Sequence, residues 1–183
     1  LTGLLRGQAG SDPAMAALTP AGAAVLLLEE GLVRAEVALS ERGLPLVWRA
    51  APAGGPPGGE AATSLEAVWT GVARRPWTPC HLRRVDAPGG DTTFSWIRRA
   101  RLAGDSFDDE PPMSEEAERY RIEILAGETV VRAAEVAAPA FIWTTAMQAA
   151  DFPGEPPDPV IVRVAQWSAT FGFGAPAARS LWR

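Results

Sequence analysis

One stretch of this 183-residue sequence, residues 159–182, restricts its possible folds more than any other. A valine stands at every second position of residues 160–164, and this period of two predicts a strand with one buried face. The alternation stops at Gly172 and Gly174, which allow the backbone to turn tightly. A second short strand is predicted in residues 178–182. The stretch therefore predicts a strand, a turn and a further strand.

Similar alternation occurs earlier in the chain, in residues 91–101, 118–125, 129–136 and 140–145. In the first of these segments Phe94 and Trp96 share one face, and in the second Tyr120 and Ile122 do. Residues 146–152 predict a single helical turn. No segment keeps a helical period of 3.6 over a dozen positions. The pattern predicts an all-β fold, a sandwich of short strands.

The closing strand, glycine turn and final strand resemble the end of a fibronectin type III domain. Trp96 and Tyr120 stand where the core of such a domain needs large aromatic side chains, each of which buries about 150–250 Å². The resemblance implies a fibronectin type III-like β-sandwich over residues 76–183. Pro76 and Pro79 suit the entry to an edge strand, because proline has no N–H to give to the ladder.

Residues 1–75 are predicted to form the C-terminal part of a β-rich domain. Strand patterns occur in residues 23–31, 32–39, 44–51 and 65–73. Residues 51–63 are rich in glycine, proline and alanine and predict a loop. Three or four strands leave sheet edges unpaired, so we expect upstream residues or neighbouring chains to complete the sheet. The strand-like start of the sequence likewise suggests a part of a longer protein.

Composition argues against several classes of function. A net charge of −5 argues against a general nucleic-acid binder, whose affinity comes from neutralising phosphates. No run of eighteen apolar residues occurs, so no membrane span is predicted. The single cysteine, Cys80, excludes a disulfide framework. Its neighbour His81 raises the alternative of a nucleophile–base pair, but adjacent strand residues point to opposite faces, which favours a part-buried thiol beside a surface imidazole.

Charged and aromatic residues leave alternatives open for a binding site. The acidic residues between positions 105 and 118 predict either a cation site or, as we favour, a solvated loop balanced by nearby arginines. The candidate glycan or subunit contacts are Trp77, Trp167, Arg98, Arg99 and Arg101. A guanidinium matches the phosphate and carboxylate groups of a glycan, although we favour pairing of these arginines with the acidic loop of the same chain. Tryptophan suits a sugar-stacking surface or, as we favour, a subunit interface. We identify no catalytic set, metal ligands or cofactor site, so the chain is not predicted to be an enzyme.

Six segments occur in an order that carries a second resemblance: LLRGQAGSD, WTPCHLRR, TTFSWIRRARLAGDSFDDEP, SEEAERYRIEIL, WTTAMQAADF and VRVAQWSATFGFG. Together they resemble the C-terminal region of the tail-tip host-specificity proteins of siphophages, and especially the baseplate protein of gene transfer agents. Longer members of that group carry a glycoside-hydrolase-like TIM barrel upstream. The resemblance extends over nearly the whole sequence. This chain has no barrel, so no hydrolase residue carries over.

This resemblance implies a structural component of the tail tip or baseplate of a phage-like particle, made in the bacterial cytoplasm. It also implies that residues 1–75 are the C-terminal part of a β-rich tail-tip or hub domain. Its expected partners are further copies of itself, arranged as a homotrimer, other tail-tip proteins and a host-envelope glycan. Its expected contribution is to tip assembly and host attachment. The alternative is a non-catalytic accessory fragment of a cell-wall or glycan hydrolase, because sandwich folds serve many functions.

Overall fold

The computed structural model describes residues 20–23, 35–102 and 112–183. The chain divides into two compact units. One comprises Thr19–Val72, and the other contains Ala73–Arg183. This boundary lies close to residue 75, where the sequence predicts a division into domains. Most of the strand predicted in residues 23–31, the first three residues of the strand predicted in residues 32–39, and the strand-like start of the sequence lie outside the described residues.

Two antiparallel strands form the sheet of the smaller unit, β1 (Pro45–Ala50) and β2 (Thr63–Val68). Their register pairs Pro45 with Val68, the two outermost positions. The glycine- and proline-rich residues between the strands therefore form the connecting loop of a hairpin. Both strand predictions for this region are confirmed, although β2 ends before its sequence pattern does.

The strand predicted in residues 32–39 is wrong where the structure describes it. Residues 35–38 have no regular structure, and Leu39–Glu41 forms a short 3-10 helix. The Glu41 carboxylate accepts a hydrogen bond from the Ala38 N–H at 2.8 Å. A local side-chain cap of this kind satisfies the backbone at a helical turn and replaces the strand ladder.

Eight strands and one short helix make up the described part of the larger unit. In chain order they are β3 (Cys80–Asp86), β4 (Thr92–Ile97), β5 (Tyr120–Ala126), β6 (Thr129–Val136), β7 (Ala140–Trp143), α1 (Thr145–Asp151), β8 (Val160–Ser168), β9 (Gly172–Phe173) and β10 (Ala177–Leu181). One sheet has the order β3-β4-β7, and the other has the order β10-β8-β5-β6 with β9 paired to β8. All pairs are antiparallel. This is the strand order of a fibronectin type III-like sandwich, so the predicted all-β fold is confirmed.

The core lies between the two sheets and is built from alternate residues of each strand. Phe94 and Trp96 of β4 are buried, as is Tyr120 of β5. Trp96 and Tyr120 meet edge to face, with ring centroids 5.3 Å apart. The alternating valines of β8 have no exposed surface. The faces predicted for these three strands are therefore confirmed.

A largely buried polar cluster fixes α1 to the sandwich. The indole N–H of the fully buried Trp143 donates to the Asp151 carboxylate at 2.8 Å, and Arg132 donates to the same carboxylate at 2.5 and 2.8 Å. Asp151 lies at the end of α1, which begins after Thr144. The Thr144 hydroxyl caps this helix by accepting the Met147 N–H at 3.3 Å. The predicted helical turn is confirmed, and it brings a carboxylate to a buried indole.

The predicted turn after β8 is also confirmed. Gly172 has a φ of 76°, in the left-handed region that glycine adopts without strain. A Cβ atom at Gly174 would overlap the carbonyl oxygen of Pro76, so only glycine allows this close approach. Pro79 directly precedes β3, which is an edge strand of its sheet. Pro79 therefore lies at the entry to an edge strand, as the sequence predicts, and Pro76 lies three residues before it in a segment without regular structure.

We expect Trp96→Ala to lower the free energy of unfolding by about 3–5 kcal/mol, the usual cost of truncating a buried aromatic side chain. Trp96 is 4% exposed and packs against Tyr120. Denaturant unfolding of the full chain measures the change. The control is Ile97→Thr at the neighbouring position, which is 55% exposed and should shift stability by less than about 0.5 kcal/mol. Equal losses in the two variants would show that the register of β4 is wrong.

Candidate functional site

The five candidate contact residues lie in three different environments. The Arg99 guanidinium lies over the Trp77 ring, with Cζ 5.1 Å from the ring centroid. Trp167 lies on the outer face of the four-stranded sheet, because its neighbours in β8 on either side point into the core. The remaining two arginines, Arg98 and Arg101, contact the segment that begins at residue 112. Their part in glycan or subunit contacts stays a prediction.

Arg101 forms a two-pronged ion pair with Glu115, whose side chain is 1% exposed. The two hydrogen bonds measure 3.0 and 3.2 Å, a geometry in which the planar guanidinium matches the carboxylate. Arg98 donates to the backbone carbonyl of Pro112 at 3.1 Å. The pairing with arginine agrees with the predicted charge balance, but the burial of Glu115 differs from the solvated loop that the sequence predicts. The acidic residues 105–110 lie outside the described residues.

On the outer face of the four-stranded sheet, arginines alternate with aromatic rings. The Cζ atom of Arg119 lies 4.7 Å from the ring centroid of Trp167, and that of Arg121 lies 4.4 Å from the ring of Phe173. Glu135 on β6 accepts hydrogen bonds from both arginines. We call these five residues the arginine–aromatic face. Each cation–ring contact at an exposed site contributes about 0.5–1 kcal/mol.

Electrostatics hold the arginine–aromatic face together. The hydrogen bond from Arg119, followed by the charges of both arginines, keeps the pKa of the Glu135 carboxyl below its usual value. Trp167 was the one member identified from the sequence. The other members come together through strand pairing, which places Arg121 of β5 opposite Glu135 of β6. In the sequence, the indication of this face is the spacing of Arg119 and Arg121, which are two residues apart on the outward face of a predicted strand.

Glu116 caps the turn that follows β8. Its carboxylate accepts hydrogen bonds from the Thr170 hydroxyl at 2.6 Å, from the Ala169 N–H at 3.0 Å and from the Ser168 hydroxyl at 3.1 Å. The Thr170 hydrogen bond first, with help from the backbone and Ser168, lowers the pKa of Glu116 to about 2. An acidic residue from the segment considered for a cation site therefore has a structural role in a turn.

A cleft of about 350 Å³ opens between the first residues of β3 and those of β10. The basic side chains that line it are Arg99, Arg179 and His81, and Cys80 and Thr78 also face it. A bulge interrupts the register of β3 between Cys80 and Arg83, and His81 has a φ of 52°. The sequence predicts Arg99 as a glycan or subunit contact and His81 as a surface imidazole, but it does not indicate Arg179 or the cleft, since neither pattern nor spacing links β3 to β10.

Because of the bulge, Cys80 and His81 do not point to opposite faces as the sequence predicts. Cys80 and His81 line the same cleft, although neighbouring residues on a regular strand would point to opposite faces. The Cys80 thiol is nevertheless part-buried, as the sequence predicts. Burial raises the pKa of Cys80, and the nearby Arg99 only partly opposes the effect. The thiol is therefore protonated at neutral pH and is a poor nucleophile.

Residues 20–23, 35–102 and 112–183 contain no group of three or more histidine, cysteine, aspartate or glutamate side chains suited to a metal ion. Glu118, a further member of the acidic segment, accepts a hydrogen bond from the Tyr120 hydroxyl at 2.8 Å.

Within residues 20–23, 35–102 and 112–183, no helix has the length and apolar character needed to cross a membrane.

No protein-family model matches the sequence, and no curated protein matches it. Similar solved structures include domains d3–d4 of the rat CD45 extracellular region, with 11% identity and a TM-score of 0.39, covering 89% of this chain and 76% of that one. Domains of titin give 11% identity and a TM-score of 0.37, covering 66% and 37%. The FN5 domain of Drosophila Lar gives 16% identity and a TM-score of 0.30, covering 59% and 98%. The fold assignment rests on the strand order itself.

We expect Glu116→Gln to lower thermal stability at pH 7 and to have less effect as the pH falls. The folded-state pKa of about 2 lies below the ordinary value of 4.5, so the charged carboxylate contributes stability above about pH 4.5. That contribution disappears as the pH falls towards 2. Melting temperatures of the full chain between pH 7 and 2.5 measure it. The control is Glu128→Gln, an exposed glutamate between β5 and β6. A Glu116→Gln effect that stays constant over this range would contradict the assignment.

Proposed function

We propose that this chain is a non-catalytic structural part of the tail tip or baseplate of a phage-like particle such as a gene transfer agent. It contributes to tip assembly and to attachment to the host envelope. The order of the six sequence segments supports the particle family. The hairpin of the smaller unit supports an assembly role, and the arginines that lie over aromatic rings on the sandwich support attachment.

The β1–β2 hairpin is the observation that carries the proposal. Its register places Leu46 opposite Ala67 and Trp48 opposite Leu65, so these four side chains share one side of the sheet, which we call the hairpin's apolar face. Leu65 is 63% exposed. Among the described residues, β1 and β2 pair only with each other. A two-stranded sheet is marginally stable in water by itself, so this hairpin favours association with another chain or segment.

A second copy of the same chain is the partner we propose for the hairpin. Within the described part of the chain its outer strand edges are unpaired and offer backbone groups to a neighbouring strand, and its apolar face offers side chains to bury. Copies related by a rotation axis form a closed ring when one patch of each contacts a different patch of the next. A trimer around the axis of the particle is the arrangement that the resemblance implies.

Attachment is the proposed role of the sandwich. The guanidinium groups of Arg99, Arg119 and Arg121 lie over aromatic rings, which holds them in place on the surface. Arginine recognises carboxylate and phosphate groups through its planar fork. The alternative, an accessory fragment of a hydrolase, makes a different prediction for removal of residues 76–183. If the sandwich serves a hydrolase, its removal reduces hydrolysis by the upstream enzyme. If it serves attachment, its removal reduces host binding and leaves hydrolysis unchanged.

We expect Leu65→Asp to prevent association of the chain and its incorporation into particles. The substitution places a charge on the hairpin's apolar face, and burying an unpaired charge in an interface is strongly unfavourable. The matched control is Ser64→Asp, which adds the same charge at the neighbouring exposed position on the opposite side of the sheet. Sedimentation of the full chain and the amount of it recovered in purified particles measure the effect.

Normal assembly of Ser64→Asp together with loss of assembly in Leu65→Asp supports the proposal. Assembly of both variants at the level of the unmodified chain would rule out the apolar face as an interface.

A further inference from the structure

One edge of the sandwich, where β3 and β10 lie side by side, is closed at one end by Arg84. The Arg84 side chain is 4% exposed and donates to the Leu181 carbonyl of β10 at 3.3 Å. It also contacts Asp86 at 3.0 Å and Asp158 at 3.3 Å. Arg84 therefore bridges the two edge strands, and two carboxylates balance its charge there.

The other end of the same edge stays open as the cleft of about 350 Å³. Among the described residues that line it, the charged side chains are Arg99 and Arg179, and no carboxylate is present. His81 projects at the bulge of β3, where a φ of 52° holds the backbone in the left-handed region. Such strained positions persist where the surrounding structure fixes them, and they are concentrated at functional sites.

We propose that this cleft binds the carboxylate or phosphate group of an acidic saccharide. The Arg179 guanidinium provides forked donors that match either anion, the Arg99 guanidinium adds positive charge to the lining, and the His81 ring adds a further polar contact. Leu82, Pro79 and Pro176 give the cleft apolar walls, which suit the C–H faces of a sugar ring. A cleft of this volume lies at the lower end of the range for small-molecule sites.

Arg99 is held in place before any ligand arrives. Its guanidinium lies 5.1 Å from the Trp77 ring centroid, and its charge acts on the Cys80 thiol in the cleft. A side chain already fixed by stacking loses less conformational freedom on binding than a mobile one. Arg179 lies across the cleft on β10 and is exposed, so it is available to close over the anion.

This inference extends the proposed function, because an acidic glycan of the host envelope is the ligand that a tail tip would meet. Binding of a free sugar acid to the isolated full chain tests the cleft alone. A failure of particle assembly or of host attachment would leave that binding unchanged, so the two proposals fail separately.

The experiment titrates the full chain with D-glucuronate, D-glucose 6-phosphate, inorganic phosphate and D-glucose at constant ionic strength. His81 is the single histidine of the chain, so its imidazole NMR signals report on the cleft directly. We expect a saturable shift of these signals with glucuronate or glucose 6-phosphate and none with glucose. Arg179→Gln should weaken binding about tenfold, the expected loss of a charge-assisted hydrogen bond. Arg179→Glu, which reverses the charge of this cleft side chain, should abolish it.

Arg49→Gln is the control, because it removes the same charge from β1 in the smaller unit and should bind as the unmodified chain does. Circular dichroism of each variant confirms that the sandwich is folded. Binding that is equal for glucuronate and glucose, or unaffected by both cleft substitutions, would overturn the proposal. Inorganic phosphate that binds as tightly as glucose 6-phosphate would overturn the saccharide assignment.

Discussion

The edge-to-face contact between Trp96 and Tyr120 joins the two sheets, and the surface chemistry of the sandwich depends on it. Because side chains alternate along a strand, burying Tyr120 directs Arg119 and Arg121 outward, where they meet Trp167 and Phe173. One face of β5 therefore packs in the core, and its other face contributes to the arginine–aromatic face. A slip of one residue in β5 would exchange them and place two arginines in the core.

Carboxylates fix the ends of the sandwich. Asp151 satisfies the buried indole of Trp143, Glu115 pairs with Arg101, and Glu116 caps the turn after β8. Each satisfies donors that would otherwise cost free energy when removed from water. The chain has a net charge of −5, and several of its acidic side chains stabilise the fold in this way. The described lining of the cleft between β3 and β10, by contrast, is basic.

The sequence predicted the core strands because burial of one face produces a period of two, as in the valines of β8. It predicted the glycine turn and the helical turn for equally local reasons. The arginine–aromatic face depends on strand register, and the cleft depends on a bulge at His81 and on the approach of β10 to β3. Those are relations between distant segments, which a single sequence does not display. The strand expected in residues 32–39 failed because a local cap at Glu41 stabilised a 3-10 helix instead.

The central claim is that this chain assembles with copies of itself through the smaller unit and presents its sandwich for attachment. Hairpin edges and an exposed apolar face suit association, and stacked arginines suit recognition of anionic groups. Electron density for intact particles tests the claim most directly. The account predicts three copies around the particle axis, with the β1–β2 hairpins at the contacts between copies. A single copy per particle, or contacts between copies that do not involve the hairpins, would contradict it.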